Sequence, residues 1–119
     1  MAENLYTEFR KLSPKVTGGL VRMREETFRD AAVPAKYKIL AALAIVVVTK
    51  CEPCINAYTK MAYQKGVSQD ELLEFLNVAM TEGGCPGEQW AMRAFQVYKE
   101  LQQGRQIEEE VCCKLEDIK

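Results

Sequence analysis

The stretch AIVVVTKCEPCINAYTKMA, residues 44–62, decides how the whole chain is read. An apolar run leads into Cys51 and Cys54, which are separated by two residues, and a run with helical spacing follows. If AIVVV is a strand, the segment begins a thioredoxin-type strand–turn–helix unit. If it ends a helix, the two cysteines sit where one helix gives way to the next. A sheet needs several strands, and runs rich in Val, Ile and aromatic residues with period-two alternation are missing elsewhere. The pattern therefore predicts an all-α protein.

Working outward, the chain is a series of helical periods punctuated by Gly and Pro. Leu5, Phe9 and Leu12 recur at spacings of four and three on a short first helix. Ser13-Pro14 is a start signal for a second, on which Val16, Leu20, Met23 and Thr27 continue one face across the weakening Gly18-Gly19 pair. Val33-Pro34 ends it and opens a third helix, apolar on every side after Lys38, which predicts burial in a core or at a subunit contact. A fourth, from about Glu52 to Lys65, places Cys54, Tyr58 and Met61 on one face, with Ile55 and Ala62 beside them.

Ser68 and Glu71 form a capping box, and Val67 and Leu72 its hydrophobic staple. Leu72, Phe75, Leu76, Ala79 and Met80 follow at helical spacing until Gly83-Gly84. Pro86 opens another helix with Trp90 or Ala91, Ala94, Phe95, Tyr98 and Leu101 facing inward, closed by Gly104. Ile107, Val111, Leu115 and Ile118 stripe a last one. The expectation is six or seven helices in a single domain spanning residues 1–119.

Composition narrows the functional classes. Hydrophobic residues make up 48% and charged residues 28% of the 119, ordinary globular values, and the net charge of −1 gives no electrostatic footprint for nucleic acid. The N-terminus has no apolar stretch of signal-peptide type, and the run Ile39–Val48 is about half of a membrane span, so the protein is expected to be soluble and cytoplasmic. Five cysteines and no histidine are present. In a reducing compartment a close cysteine pair points to redox or metal chemistry rather than a structural staple.

A Cys-x-x-Cys pair at a helix start can close a small disulfide ring, and unpaired N–H groups with the helix dipole stabilise a thiolate there. Lys50 adds positive charge nearby and Glu52 partly opposes it. Tyr58, four residues after Cys54, shares its face and could donate a proton or hydrogen-bond the thiolate, although a half-buried core aromatic is the simpler reading. The rival site is an all-thiolate zinc or iron–sulfur set of Cys51, Cys54 and Cys85, with Cys112 or Cys113. Its second half lacks a tight spacing.

The order of an apolar helix, Cys-x-x-Cys, the stretch YTKMAYQKGVSQDELLEFLNVA, Gly-Gly and a long helix resembles the alkylhydroperoxidase D-like branch of the carboxymuconolactone decarboxylase family, from about Val33 to Leu101. The resemblance implies an all-helical bundle that assembles as a dimer, trimer or hexamer. It implies a redox dithiol acting on a peroxide or disulfide, without a cofactor, with Cys54 as nucleophile and Cys51 as resolving thiol. The family's proton relay uses a Glu twelve residues before the first cysteine and a His four after the second. At those positions this sequence has Ile39 and Tyr58. The departures point to thiol–disulfide exchange, which makes less demand on a proton relay than peroxide reduction. A non-catalytic oligomeric member of the family is the remaining alternative.

Overall fold

In a computed structural model, residues 5–105 are described, and they form five helices in the order α1 (Leu5–Leu12), α2 (Pro14–Thr27), α3 (Ala35–Val48), α4 (Glu52–Gln64) and α5 (Gln69–Gln102). Ala44–Val48 is the last part of α3 and no strand occurs among the described residues, which excludes the thioredoxin reading. The helices expected on either side of Gly83-Gly84 are the two halves of α5, which meet at a kink where the Gly84 backbone is not helical. The last expected helix, with Cys112 and Cys113, lies outside the described residues.

Helices α3, α4 and α5 pack on one another and make the core. Ile39, Leu40, Leu43 and Val47 of α3 meet Ile55, Tyr58 and Ala62 of α4. Leu72, Leu76, Ala79, Ala91, Ala94 and Tyr98 of α5 close the cluster. The α5 positions expected inside are buried or half-buried, as the helical period requires.

The turn from α4 to α5 is held at four points. Ser68 Oγ accepts from the Glu71 N–H and the Glu71 carboxylate accepts from the Ser68 N–H, so the capping box is complete. Glu71 also pairs with Lys36 Nζ of α3 at 3.0 Å. The Ser68 backbone bond, and then Lys36, hold the Glu71 carboxyl below its ordinary range. Val67 and Leu72 are both buried in the core, as the staple requires. Tyr98 reaches back from the far half of α5 and donates its hydroxyl to the Val67 carbonyl at 2.6 Å, and burial pushes its phenol pKa up.

The bend in α5 depends on two glycines for different reasons. Gly84 adopts φ 65°, ψ −150°, a backbone conformation that side chains resist. At Gly87 the two halves of the bent helix touch: a methyl group there would come within 2.9 Å of the Ala79 carbonyl oxygen.

Helices α1 and α2 behave differently. They meet at a one-residue bend at Ser13, where Thr17 Oγ1 donates to the Ser13 and Arg10 carbonyls. Together they form an N-terminal arm that packs sparsely on the core. The apolar face of Val16, Leu20 and Met23 is exposed, while Val21 is buried and Phe28 half-buried against the core. Helix α3 is likewise not covered all round. Tyr37, Ala41, Ile45 and Val48 form an exposed stripe along it.

Replacing Gly87 by Ala should destabilise the protein by about 1–3 kcal/mol, because the contact is with backbone and cannot be relieved by a rotamer. Urea unfolding measures this. Unchanged stability would mean that the halves of α5 do not approach as described.

Candidate functional site

Cys51 sits at a junction between helices. Its N–H bonds to the Val46 carbonyl at 3.0 Å, and the preceding Lys50 N–H bonds to Val47 at 3.1 Å, so α3 ends in a Schellman motif. The Cys51 carbonyl then accepts the Ile55 N–H at 2.9 Å, so the same residue is the N-cap of α4. Pro53 occupies the first turn, where a missing N–H costs nothing. Cys54, one turn in, is brought to Cys51 with a Cα–Cα separation of 5.3 Å, and the two sulfurs are joined in a disulfide.

Helices α4 and α5 end in the same motif, with Gly66 at φ 80° and Gly104 at φ 78° in the left-handed position. Helix α3 puts Lys50 there, at φ 62°, where a Cβ is unfavourable. A lysine next to the pair therefore stands where the fold elsewhere uses glycine.

Both cysteines are half-buried, and Cys54 packs against the core cluster. Tyr58 is 6% exposed and lies four residues on, with its ring tilted against Phe28 at a centroid distance of 5.6 Å. Ile39 is fully enclosed in the same cluster. The ground behind the disulfide is thus aliphatic and aromatic, and neither position where the resembled family carries its relay holds an imidazole or carboxylate. Of the expected site residues the structure joins Cys51 to Cys54, and Tyr58 follows one turn on along α4.

It does not add Cys85. That residue follows the bend at Gly84 and is an exposed free thiol. Among the described residues no three or more His, Cys, Asp or Glu side chains gather as a metal-holding set, so the Cys51, Cys54, Cys85 combination is not assembled.

Three neighbours were not singled out from the sequence. Phe28, seven residues after Val21, belongs to the inward face of α2 that the more conspicuous Val16–Met23 stripe masked. Asn56 is buried and accepts from Arg93 Nε of α5 at 3.3 Å, tying the first turn of α4 to α5. Thr59 is fully buried, and its hydroxyl has no hydrogen-bond partner among the described residues. The recurrence of polar residues at 56, 59 and 60 was the available signal for the last two.

An all-α core with a cysteine pair on the turn between two of its helices defines the class. Residues 14–97 match the model of the carboxymuconolactone decarboxylase family. The chain belongs to that family. It is 30% identical, over 61% of its length and 65% of the relative's, to an uncharacterized protein of Cupriavidus necator. It is 26% identical, over 60% of its length and 65% of the relative's, to uncharacterized protein 4 in the cox locus of Paracoccus denitrificans. The matches thus span less than two thirds of either relative.

Two solved structures are similar. A carboxymuconolactone decarboxylase family protein from Legionella pneumophila, in its apo form, superposes with a TM-score of 0.76 at 30% identity, covering 79% of this chain and 84% of that one. A Thermotoga maritima protein gives 0.70 at 26% identity, covering 83% and 94%.

Lys50→Gly should raise stability by about 0.5–1 kcal/mol, the left-handed strain relieved less the added chain entropy of glycine. Thermal and urea unfolding would show it. A loss of stability would mean that the lysine side chain makes up for its backbone conformation.

Proposed function

We propose that the protein is a thiol–disulfide oxidoreductase whose redox centre is the Cys51/Cys54 pair. The observation that carries this reading is the closed pair at the start of α4, half-accessible and with Cα atoms 5.3 Å apart on a packed scaffold. The N-terminal end of the α4 dipole and the Lys50 ammonium favour a thiolate there, while burial of Cys54 against the core opposes it.

In the reduced protein the Cys54 thiolate attacks one sulfur of a substrate disulfide. A Cys54–substrate disulfide forms, and the substrate's other sulfur leaves as a thiolate that takes up a proton. Cys51, as thiolate, then attacks Cys54 Sγ, closing the Cys51–Cys54 disulfide and releasing the second substrate thiolate. The dithiol loses two electrons and the substrate disulfide gains them. No resident metal enters this scheme.

A disulfide substrate is favoured over a peroxide by what lies behind the pair. Reducing a peroxide requires a proton for the leaving oxygen, and the enclosed Ile39 and the packed Tyr58 supply neither carboxylate nor imidazole. A departing thiolate is a far more stable leaving group. Tyr58 remains the group on this face able to deliver a proton.

The experiment is a redox titration of protein purified without air, read by differential alkylation and mass spectrometry alongside metal analysis. A reversible two-electron Cys51–Cys54 couple in metal-free protein is expected. Cysteines that resist alkylation until a stoichiometric metal is removed would overturn the reading. In the same assay Cys51→Ser should trap a mixed disulfide on Cys54, and Cys54→Ser should trap little. The reverse pattern would exchange the two roles.

Tyr58→Phe should slow turnover of a small aromatic disulfide by less than roughly tenfold, well short of the 10²–10⁴ that a positioned general acid contributes. Equal rates in the two proteins across neutral pH would remove Tyr58 from the mechanism.

A further inference from the structure

The resemblance to an oligomeric family leaves open which surfaces join the copies. Six apolar side chains on the N-terminal arm, Leu5, Phe9, Leu12, Val16, Leu20 and Met23, are 41–80% exposed. They recur at spacings of four and three straight through the bend at Ser13, the pattern of a helix face that packs along another helix. Yet α1 has no buried residue at all. An eight-residue helix is far below the length at which a helix persists alone in water, and contact with α2 leaves the apolar face of α1 exposed.

A second uncovered face lies on the same chain. Along α3, Tyr37, Ala41, Ile45 and Val48 are all exposed, without a charged residue among them. The last three repeat the four-three spacing of Val16, Leu20 and Met23. Helices α2 and α3 are both 14 residues long, so the faces match in extent as well as in period. The arm does not lie on its own α3: its C-terminal end is carried to α4, where Phe28 stacks on Tyr58.

Charge on α5 favours the same pairing. The arm carries five basic residues against three acidic ones, and α5 carries six acidic residues against two basic ones; on α3 itself Lys36 is paired with Glu71 and Lys38 is bonded to the Arg29 carbonyl. Helix α5 flanks the α3 stripe directly, because Gly83 packs on Val48, and the exposed Glu82 stands beside that contact.

We propose that the arm docks on α3 of a second copy of this chain, the Leu5–Met23 stripe covering Tyr37, Ala41, Ile45 and Val48. Two copies exchanging arms satisfy both faces on each, which is a closed arrangement. The α3 stripe ends at Val48, three residues before Cys51, so the docked arm borders the cysteine pair. The proposal stands independently of the redox reading.

The test uses the full chain and two single variants at exposed positions, Val16→Glu on the arm and Ile45→Lys on α3. Mass is read by light scattering after gel filtration, with helicity and unfolding transitions as folding controls. Wild type is expected at a multiple of 13.5 kDa. Each variant alone should fall to the monomer mass, or assemble at least tenfold more weakly, while staying helical. Mixing them should restore the assembly, because every arm then meets either an intact α3 stripe or its charge complement.

A monomeric wild type would overturn the proposal, as would variants that stay assembled alone. A mixture that fails to reassemble would also overturn it; arm–arm or α3–α3 contacts predict instead that one of the two variants stays assembled alone. So would wild-type monomer that sediments with anionic phospholipid vesicles, because the stripe would then be a lipid-facing surface.

Discussion

Cys51 closes one helix and opens the next, and the site rests on that double bond. Its N–H completes the end of α3 on the Val46 carbonyl, and its carbonyl begins α4 on the Ile55 N–H. With both backbone groups committed, no register freedom remains between the helices. The disulfide partner one turn on is then placed by helical geometry. Such a junction demands a left-handed residue at position 50. Lysine meets that demand at a strain of about 1–2 kcal/mol that glycine would not incur.

The sequence was most legible where a local rule has one physical outcome. The capping box at Ser68 and Glu71, the break at Gly83-Gly84 and the start of α4 at the cysteine pair follow from chemistry within a few residues. Periodicity was less complete. It identified the stripe from Val16 to Met23 correctly as an apolar face, but a helical period does not say which body covers that face. In this chain Val21 and Phe28 turn inward instead, and the stripe is left in solvent. Helix α3 illustrates the same point in reverse. It is apolar all round, yet one face of it meets the core and the opposite face meets water within the single chain.

Tyr58 lay between the two regimes. Its spacing from Cys54 was visible, whereas its near-complete burial depends on Phe28 arriving from α2, some thirty residues earlier, which no local pattern reveals. The metal set spans a similar distance in sequence, and among the described residues it is not gathered. A third cysteine can join a pair only if the fold delivers it, and the bend at Gly84 leaves Cys85 at the surface.

The apolar ground behind the pair bears directly on the chemistry. A thiolate at Cys54 has the first-turn N–H groups of α4 and the charge of Lys50 in its favour, and the low-dielectric cluster of Ile55, Tyr58 and Ile39 against it. A family relay of Glu and His would tip that balance by supplying a base and then an acid. With Ile39 and Tyr58 in those places, the helix start and the surface lysine must hold the thiolate, and solvent must supply protons through the exposed side. An exchange partner that brings its own good leaving thiol suits such a centre. A peroxide, whose leaving oxygen needs a proton from within the site, does not. Under the proposed dithiol function, the aromatic and aliphatic side chains that make this a well-packed core are the same ones that narrow the range of substrates.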